Sequence, residues 1–303
     1  MKSQRKGVII IDKPAGLSSA RVVATVKRIF QVAKAGHTGT LDPFATGVMV
    51  CPVNSATRLA RFLLHGSKTY TGVLKLGMET DTQDSTGIVT ARNVVPQLDR
   101  NELDAVFGQF RGAIEQAPPA YSALKHQGVP LYKLARQGRP VQKPPRAVSV
   151  FALSIQAVAL PRVHFEVTCS GGTYVRTLCA DIGAAIGCGG HLESLRRTRC
   201  GPFSLAQAVT LDQLAGHDRA GTLDRLIIAM ADVLPDLPVL RADASLARKI
   251  AVGGALDELD AGDGWPSVTP GGHIKVVGPG DELLAVLEAQ PGGRYRYCCV
   301  LNG

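Results

Sequence analysis

A chain of 303 residues, 45% hydrophobic and 19% charged, can bury a sizeable core in one large domain or two, and its composition excludes low-complexity classes. The net charge of +9 is unevenly spread: residues 211–303 hold 8 basic and 13 acidic groups, a balance of −5, and the first 210 hold 26 and 12, a balance of +14. That asymmetry points to a polyanionic partner for the larger part, nucleic acid being the commonest.

The opening residues 1–6 are basic, and the apolar run that follows, Val8-Ile9-Ile10-Ile11, ends at Asp12-Lys13-Pro14. Like Val48-Met49-Val50-Cys51, it is too short for a membrane span, and it is too short for a signal-peptide core, so the cytoplasm is the expected compartment. Residues 7–12 read as a buried strand closed by the turn Lys13-Pro14-Ala15-Gly16. Ser18 and Ser19 can cap a helix whose Val22, Val23, Val26, Ile29 and Phe30 share one face. A strand over 48–53, a short helix over 56–64 and an alternating strand over 70–76 follow. The turn-rich loop Thr80-Asp81-Thr82-Gln83-Asp84-Ser85-Thr86-Gly87 leads into 88–91 and predicts an antiparallel pair.

Asp99-x-x-Glu102 is a capping box for a helix reaching about Phe110. Residues 117–145 are Pro-rich and irregular, and Lys125, Lys133, Arg136, Arg139 and Lys143 occur there without one acid. Strands are expected over 147–157 and 164–169, then a helix from about Thr173 through Val175, Leu178, Cys179, Ile182 and Ile186. A basic cluster, Arg196-Arg197-x-Arg199, precedes Gly201-Pro202. Beyond Pro235-Asp236-Leu237-Pro238 the chain turns acidic and Gly-rich, with strands expected over 274–277, 283–287 and 295–301. A domain boundary is placed near residue 238.

Strands mixed with helices, without regular β-α-β alternation, predict an α+β fold. No dinucleotide fingerprint and no P-loop is present. Seven cysteines stand at 51, 169, 179, 188, 200, 298 and 299, with no Cys-x-x-Cys spacing. Neither a zinc motif nor a disulfide framework is supported, and buried free thiols are expected. No cofactor and no metal are expected.

Asp42 is the lone acid among the 66 positions from Lys13 to Met78, which also carry nine Lys and Arg residues. It sits in Gly36-His37-Thr38-Gly39-Thr40-Leu41-Asp42-Pro43-Phe44-Ala45-Thr46-Gly47, too rich in Gly and small residues for a long helix or a central strand. Neighbouring positive charge favours an ionised carboxylate. Pro43 restricts Asp42 to extended backbone, so the chain itself aims the side chain. An ionised carboxylate on a stiff loop in a basic field suggests a nucleophile facing a polyanion.

That loop, together with Lys13-Pro14-Ala15-Gly16-Leu17-Ser18-Ser19, Lys68-Thr69-Tyr70 and Ser170-Gly171-Gly172-Thr173-Tyr174-Val175-Arg176-Thr177-Leu178, strongly resembles the TruB family, the bacterial tRNA pseudouridine-55 synthases. Four motifs occur in the family's order, over about residues 7–210. The resemblance implies a pseudouridine synthase-type catalytic domain over residues 1–238, with a mixed, largely antiparallel sheet. A small β-rich, PUA-like C-terminal domain is expected over 239–303. The implied reaction isomerises uridine 55 in the T-loop of tRNA: the N-glycosidic bond breaks, the flipped-out uracil rotates, and a C–C bond forms. The implied partner is the tRNA T arm, with no membrane and no obligatory protein partner, and the expected state is a monomer.

By the same resemblance Asp42 is the nucleophile, and both attack on the ribose C1′ and another route to base departure fit it. Tyr70 stacks on the target base, and Arg176 pairs with the catalytic carboxylate. His37 fills the space left by the extruded nucleotide, whose unstacking costs a few kcal/mol. Lys13 and Pro14 support the loop and touch RNA, Leu195 lines the uracil pocket, and Tyr174 belongs with the substrate contacts. The basic stretch 118–146 resembles a segment folded over the T arm, with Lys125, Lys133 and Arg136 as phosphate contacts. The sequence departs from the family pattern at Gly172-Thr173 and at Thr198-Arg199-Cys200. Two other readings stay open: a subunit of an RNA-guided pseudouridine synthase, and a tRNA-binding or tRNA-folding protein without catalysis.

Overall fold

The computed structural model describes residues 4–257, Asp260 and residues 264–301, so the N-terminal residues 1–3 and part of the acidic tail lie outside the described residues. The first apolar run forms β1 (Gly7–Lys13), paired antiparallel with β2 (Thr46–Val53). Both strands are buried on two faces. Ile9, Ile11, Met49 and Cys51 pack against Val22 and Val26 of α1 (Ser19–Ile29), while Val8, Ile10, Val48 and Val50 enter a second cluster. A strand covered on both sides needs continuous rather than alternating hydrophobicity. Helix α1 starts where the Ser18 hydroxyl accepts the Arg21 N–H at 3.2 Å.

A 3₁₀ turn (Asn54–Leu59) leads into α2 (Ala60–Leu64), so the helix expected over 56–64 is α-helical only in its second half. In β3 (Lys68–Leu76) buried and half-buried residues alternate without a break. The pair β4 (Met78–Thr80) and β5 (Val89–Arg92) flanks the turn-rich loop. The Asp99–Glu102 capping box opens α3 (Arg100–Gly108), which precedes β6 (Gly112–Gln116). The basic stretch is more ordered than its composition suggests: β7 (Lys125–His126) and β8 (Val129–Pro130) pair, and α4 (Leu131–Arg136) follows. Next come β9 (Arg146–Ala159), β10 (Arg162–Cys169), α5 (Val175–Ile186), β11 (Gly190–Cys200), β12 (Phe203–Ser204) and α6 (Leu211–Arg219).

The large sheet runs β1-β2-β11-β3-β10-β9-β6, with β12 on β11. Every pairing in it is antiparallel except the short parallel contact of β2 with β11 at Arg196↔Thr46 and Arg197↔Gly47. The expected mixed, largely antiparallel α+β architecture is therefore present. Leu74 and Phe165 of the sheet, Leu103 and Phe107 of α3, and Leu178 and Ile182 of α5 form its central core.

The last part holds β13 (Val239–Arg241), α7 (Ala244–Ala251), β14 (Leu256–Asp257), β15 (His273–Val277), β16 (Leu283–Gln290) and β17 (Arg294–Val300). Its strands form a second sheet ordered β13-β15-β16-β17-β14. Val277, Leu283, Val286 and Leu301 share one hydrophobic cluster with Val8, Ile10, Leu63 and Met230. None of the helices among the described residues is long and apolar enough to cross a membrane.

Candidate active site

The Asp42 loop joins α1 to β2, and its backbone is pinned on both sides of the carboxylate. The Ser19 hydroxyl, turned away from the cap it was expected to make, donates to the Leu41 carbonyl and accepts the Leu41 N–H, both at 2.9 Å. On the other side the Pro43 carbonyl accepts from the Gly16 N–H at 2.8 Å and from Lys13 Nζ at 3.1 Å. Buried polar groups stay put only when paired, so these bonds fix where Asp42 projects. Gly36 and Thr38 donate to the Pro52 and Val50 carbonyls and lay the start of the loop along β2.

Arg176, the second residue of α5 and only 5% exposed, faces Asp42 at 3.8 Å and Asp84 at 3.5 Å, while the Asp42 side chain is 34% exposed. A cation at a helix N-terminus opposes the macrodipole, so two carboxylates from elsewhere in the fold are what hold it there. Nη2 of Arg176 also donates to the Tyr121 carbonyl, and its buried Nε has no partner among the described residues. Asp84 is itself locked: one oxygen accepts from the Thr82 hydroxyl at 2.8 Å, the Thr86 hydroxyl at 2.6 Å and the Thr86 N–H at 2.9 Å. Tyr174 caps α5, its N–H and carbonyl both bonded to Gln116, with Arg146 and Arg176 over its ring at 5.3 and 5.8 Å.

Burial dominates the Asp42 electrostatics and pushes its carboxyl above the ordinary range; Arg176 and Lys13 oppose that, and Asp84 adds to it. This reverses the direction expected from the cations along the chain. Of the nine near it in sequence, Lys13 bears on it in space, and the other opposing cation, Arg176, comes from α5. Lys13 is 0% exposed and burial lowers it to about 8. That burial fits the loop-supporting part of its expected role: the ammonium donates to the Pro14 and Pro43 carbonyls. Pro14 beside it is exposed.

Tyr70 is 8% exposed in the central core, and burial raises its phenol to about 12, with Arg197 pulling the other way. It is a neutral phenol near pH 7. His37 is half-buried, its Nδ1 accepts the Gly39 N–H at 3.3 Å, and burial followed by Arg197 lowers its pKa. Leu195 is buried on β11 and, with Pro43, lines an open groove of about 790 Å3; Asp42, Tyr70 and Arg176 are not among the groove's walls. Lys125, Lys133 and Arg136 are exposed on the basic stretch, Arg136 over the Tyr132 ring at 5.6 Å. That stretch reaches the site by backbone rather than by charge, through Tyr121 and Arg176.

Two residues of the constellation were not singled out from the sequence. Asp84 is one of two acids in the turn-rich loop 80–87, and nothing in the composition separates it from Asp81. Arg197 stood in a basic cluster, yet it is 1% exposed and binds the loop, donating to the Val48 carbonyl at 2.6 Å and the Gly39 carbonyl at 3.1 Å. Strand periodicity is the signal that finds it, because Arg196 and Arg197 on one strand must point to opposite faces. Arg196 accordingly turns to Asp12 at 2.7 Å. No group of possible metal ligands was found at this site among the described residues.

Residues 27–175 match the family described as "TruB family pseudouridylate synthase (N terminal domain)", and residues 176–234 match "tRNA pseudouridylate synthase B C-terminal domain". The chain is 44% identical over 292 residues to tRNA pseudouridine synthase B of Burkholderia pseudomallei, covering 94% of each protein. It is 45% identical over 247 residues to tRNA pseudouridine synthase B of Geobacter sulfurreducens, covering 82% of this chain and 81% of that one. Among solved structures it resembles a chain of a Cbf5-Nop10-Gar1 complex, with TM-score 0.77 and 27% identity over 98% of this chain and 85% of that one. With the aspartate loop, its arginine partner and the sheet that brings them together, these matches place the chain in the TruB family of pseudouridylate synthases.

Proposed function

We propose that this protein converts uridine 55 in the T-loop of tRNA to pseudouridine. The bond from N1 to C1′ breaks, the uracil turns, and C5 joins C1′; C5 gives up its proton and N1 takes one, so no redox partner is consumed. The observation that carries the reading is Asp42: a partly exposed carboxylate on a pinned loop, facing the buried Arg176 at 3.8 Å. In this reading Asp42 is the nucleophile, Arg176 its positioning cation, and Tyr70 a base-stacking neutral phenol. Leu195 and Tyr174 belong to the substrate pocket, His37 occupies the space of the extruded nucleotide, and Lys125, Lys133 and Arg136 hold phosphates. Residues 1–238 form the catalytic domain and 239–303 a C-terminal module, in a monomer that works in the cytoplasm without a protein partner.

Tritium release from tRNA labelled at C5 of uridine tests the reading, because binding alone cannot liberate that hydrogen. The wild-type chain releases it from bare transcript, and Asp42→Asn abolishes release while tRNA affinity stays within about threefold, a change under 1 kcal/mol. Release by Asp42→Asn at the parental rate removes Asp42 from the chemistry. One rival is an RNA-guided subunit that depends on partner proteins, and the likeness to a chain found in a Cbf5-Nop10-Gar1 complex is what keeps it in view. Activity on bare transcript with no added protein or guide excludes it.

A further inference from the structure

Away from the Asp42 site, three different metal-ligating side chains converge on one face of the C-terminal sheet. His273 on β15 lies directly opposite Glu288 on β16, and Cys298 on β17 is two residues from Arg296, the cross-strand partner of Glu288. One ligand atom from each of His273, Glu288 and Cys298 lies within 4.8 Å of the others, all three residues are half-buried, and the Cys298 thiol donates to Glu288 at 3.8 Å. We propose that His273, Glu288 and Cys298 bind one zinc-type divalent transition-metal ion, leaving a fourth coordination position for water.

The donor set selects the ion. Imidazole, carboxylate and thiolate together suit zinc and its neighbours, whereas calcium and magnesium take oxygen alone. Metal–ligand bonds of about 2.0–2.3 Å at tetrahedral angles put ligand atoms roughly 3.5 Å apart, so the cluster closes with side-chain shifts of an ångström or so. Outer partners are already in place: Gln290 donates to one Glu288 oxygen at 2.9 Å and Arg296 to the other at 2.7 Å. Hydrogen-bonded carboxylates are the usual support of such sites, and Arg296, 65% exposed, has room to follow Glu288 as the ion arrives. Binding forms a metal–sulfur bond and releases the Cys298 thiol proton to solvent.

The position gives the ion a structural role. The His273 ring meets Phe62 of α2 edge-on at 5.4 Å, and Arg61 of α2 donates to the Cys298 carbonyl at 3.2 Å. The ion would fasten three strands at the seam between the C-terminal sheet and α2. No spacing motif announces the site, because its ligands come from three strands at positions 273, 288 and 298.

The test uses the full-length chain, stripped with a chelator and titrated with cobalt(II) as an optical probe. The expected result is one cobalt per chain, a thiolate-to-metal charge-transfer band, and displacement by zinc. Cys298→Ser removes the band, His273→Ala weakens cobalt binding at least about tenfold, and Cys299→Ser, which changes the adjacent thiol, leaves both intact. Glu288→Gln keeps the band with weakened affinity and serves if Cys298→Ser fails to fold. A wild-type chain with no band at saturating cobalt overturns the proposal, as does a band that depends on Cys299 rather than Cys298.

Discussion

In the proposed reaction Asp42 works as a carboxylate, and its surroundings make ionisation harder than in water. Burial raises its pKa above the ordinary 3.8, and Asp84, facing the same guanidinium, raises it further. Activity should therefore fall, as pH drops, at a higher pH than for a free carboxylate. Asp84→Asn removes a negative charge from the pair, so the acid limb of kcat/KM should move to lower pH. Turnover should fall in the same variant, because Arg176 loses the closer of its two carboxylates. Tritium release measured across the acid range separates the two effects. An acid limb that stays in place would mean that Asp42 is not the group titrating there.

Each element shows a different degree of legibility. The Asp42 loop could be read as a loop from its glycines, and β3 as a strand from its alternation, because both signals are local. The β2–β11 contact could not: two residue pairs, Arg196↔Thr46 and Arg197↔Gly47, join segments about 150 positions apart. Nor could the pKa direction of Asp42, since charge counted along the chain is not charge counted in space. Gly47 shows how tight that contact is. Its φ is +103°, and an added Cβ would lie 2.2 Å from the Arg197 carbonyl oxygen. Gly47→Ala should cost about 3 kcal/mol or more, from strain plus a backbone clash, whereas Gly16→Ala, at φ +84° with open space, should cost about 1–2 kcal/mol. Urea melts of the two variants give the comparison, and equal losses would show that the β2–β11 approach is not tight.

The basic stretch makes its own prediction at this scale. Lys133 and Arg136 are exposed on α4, a helix of only six residues, so the proposed phosphate contacts can be tested through their charge. Each phosphate contact contributes about 0.9 to the slope of log affinity against log salt on a duplex. Replacing both with Gln should lower the slope for tRNA by up to about 2 without changing the tritium-releasing chemistry of bound substrate. An unchanged slope would place the phosphates elsewhere.

For the whole molecule, the charge divide and the packing divide do not coincide. Composition changes near residue 238, yet the hydrophobic cluster built on Val8, Ile10, Val48 and Val50 is completed by Val277, Leu283, Val286 and Leu301 from beyond it. Lys275, buried, reaches back to the Ala231 carbonyl at 2.7 Å, and Arg58 and Arg61 of the first part donate to the Val300 and Cys298 carbonyls. Full burial of a side chain such as Val or Leu stabilises by roughly 1.5–3 kcal/mol, so losing the four from beyond residue 238 removes on the order of 6–12 kcal/mol as an upper bound. That is comparable to the entire net stability of a typical domain, about 5–15 kcal/mol. A chain ending at residue 238 should therefore melt far below the full protein or precipitate, even though it retains Asp42, Tyr70 and Arg176. Val286→Ala in the full chain should lower Tm in one transition shared by both parts. Two separate transitions, or a 1–238 fragment as stable as the parent, would show that the shared cluster does not couple them.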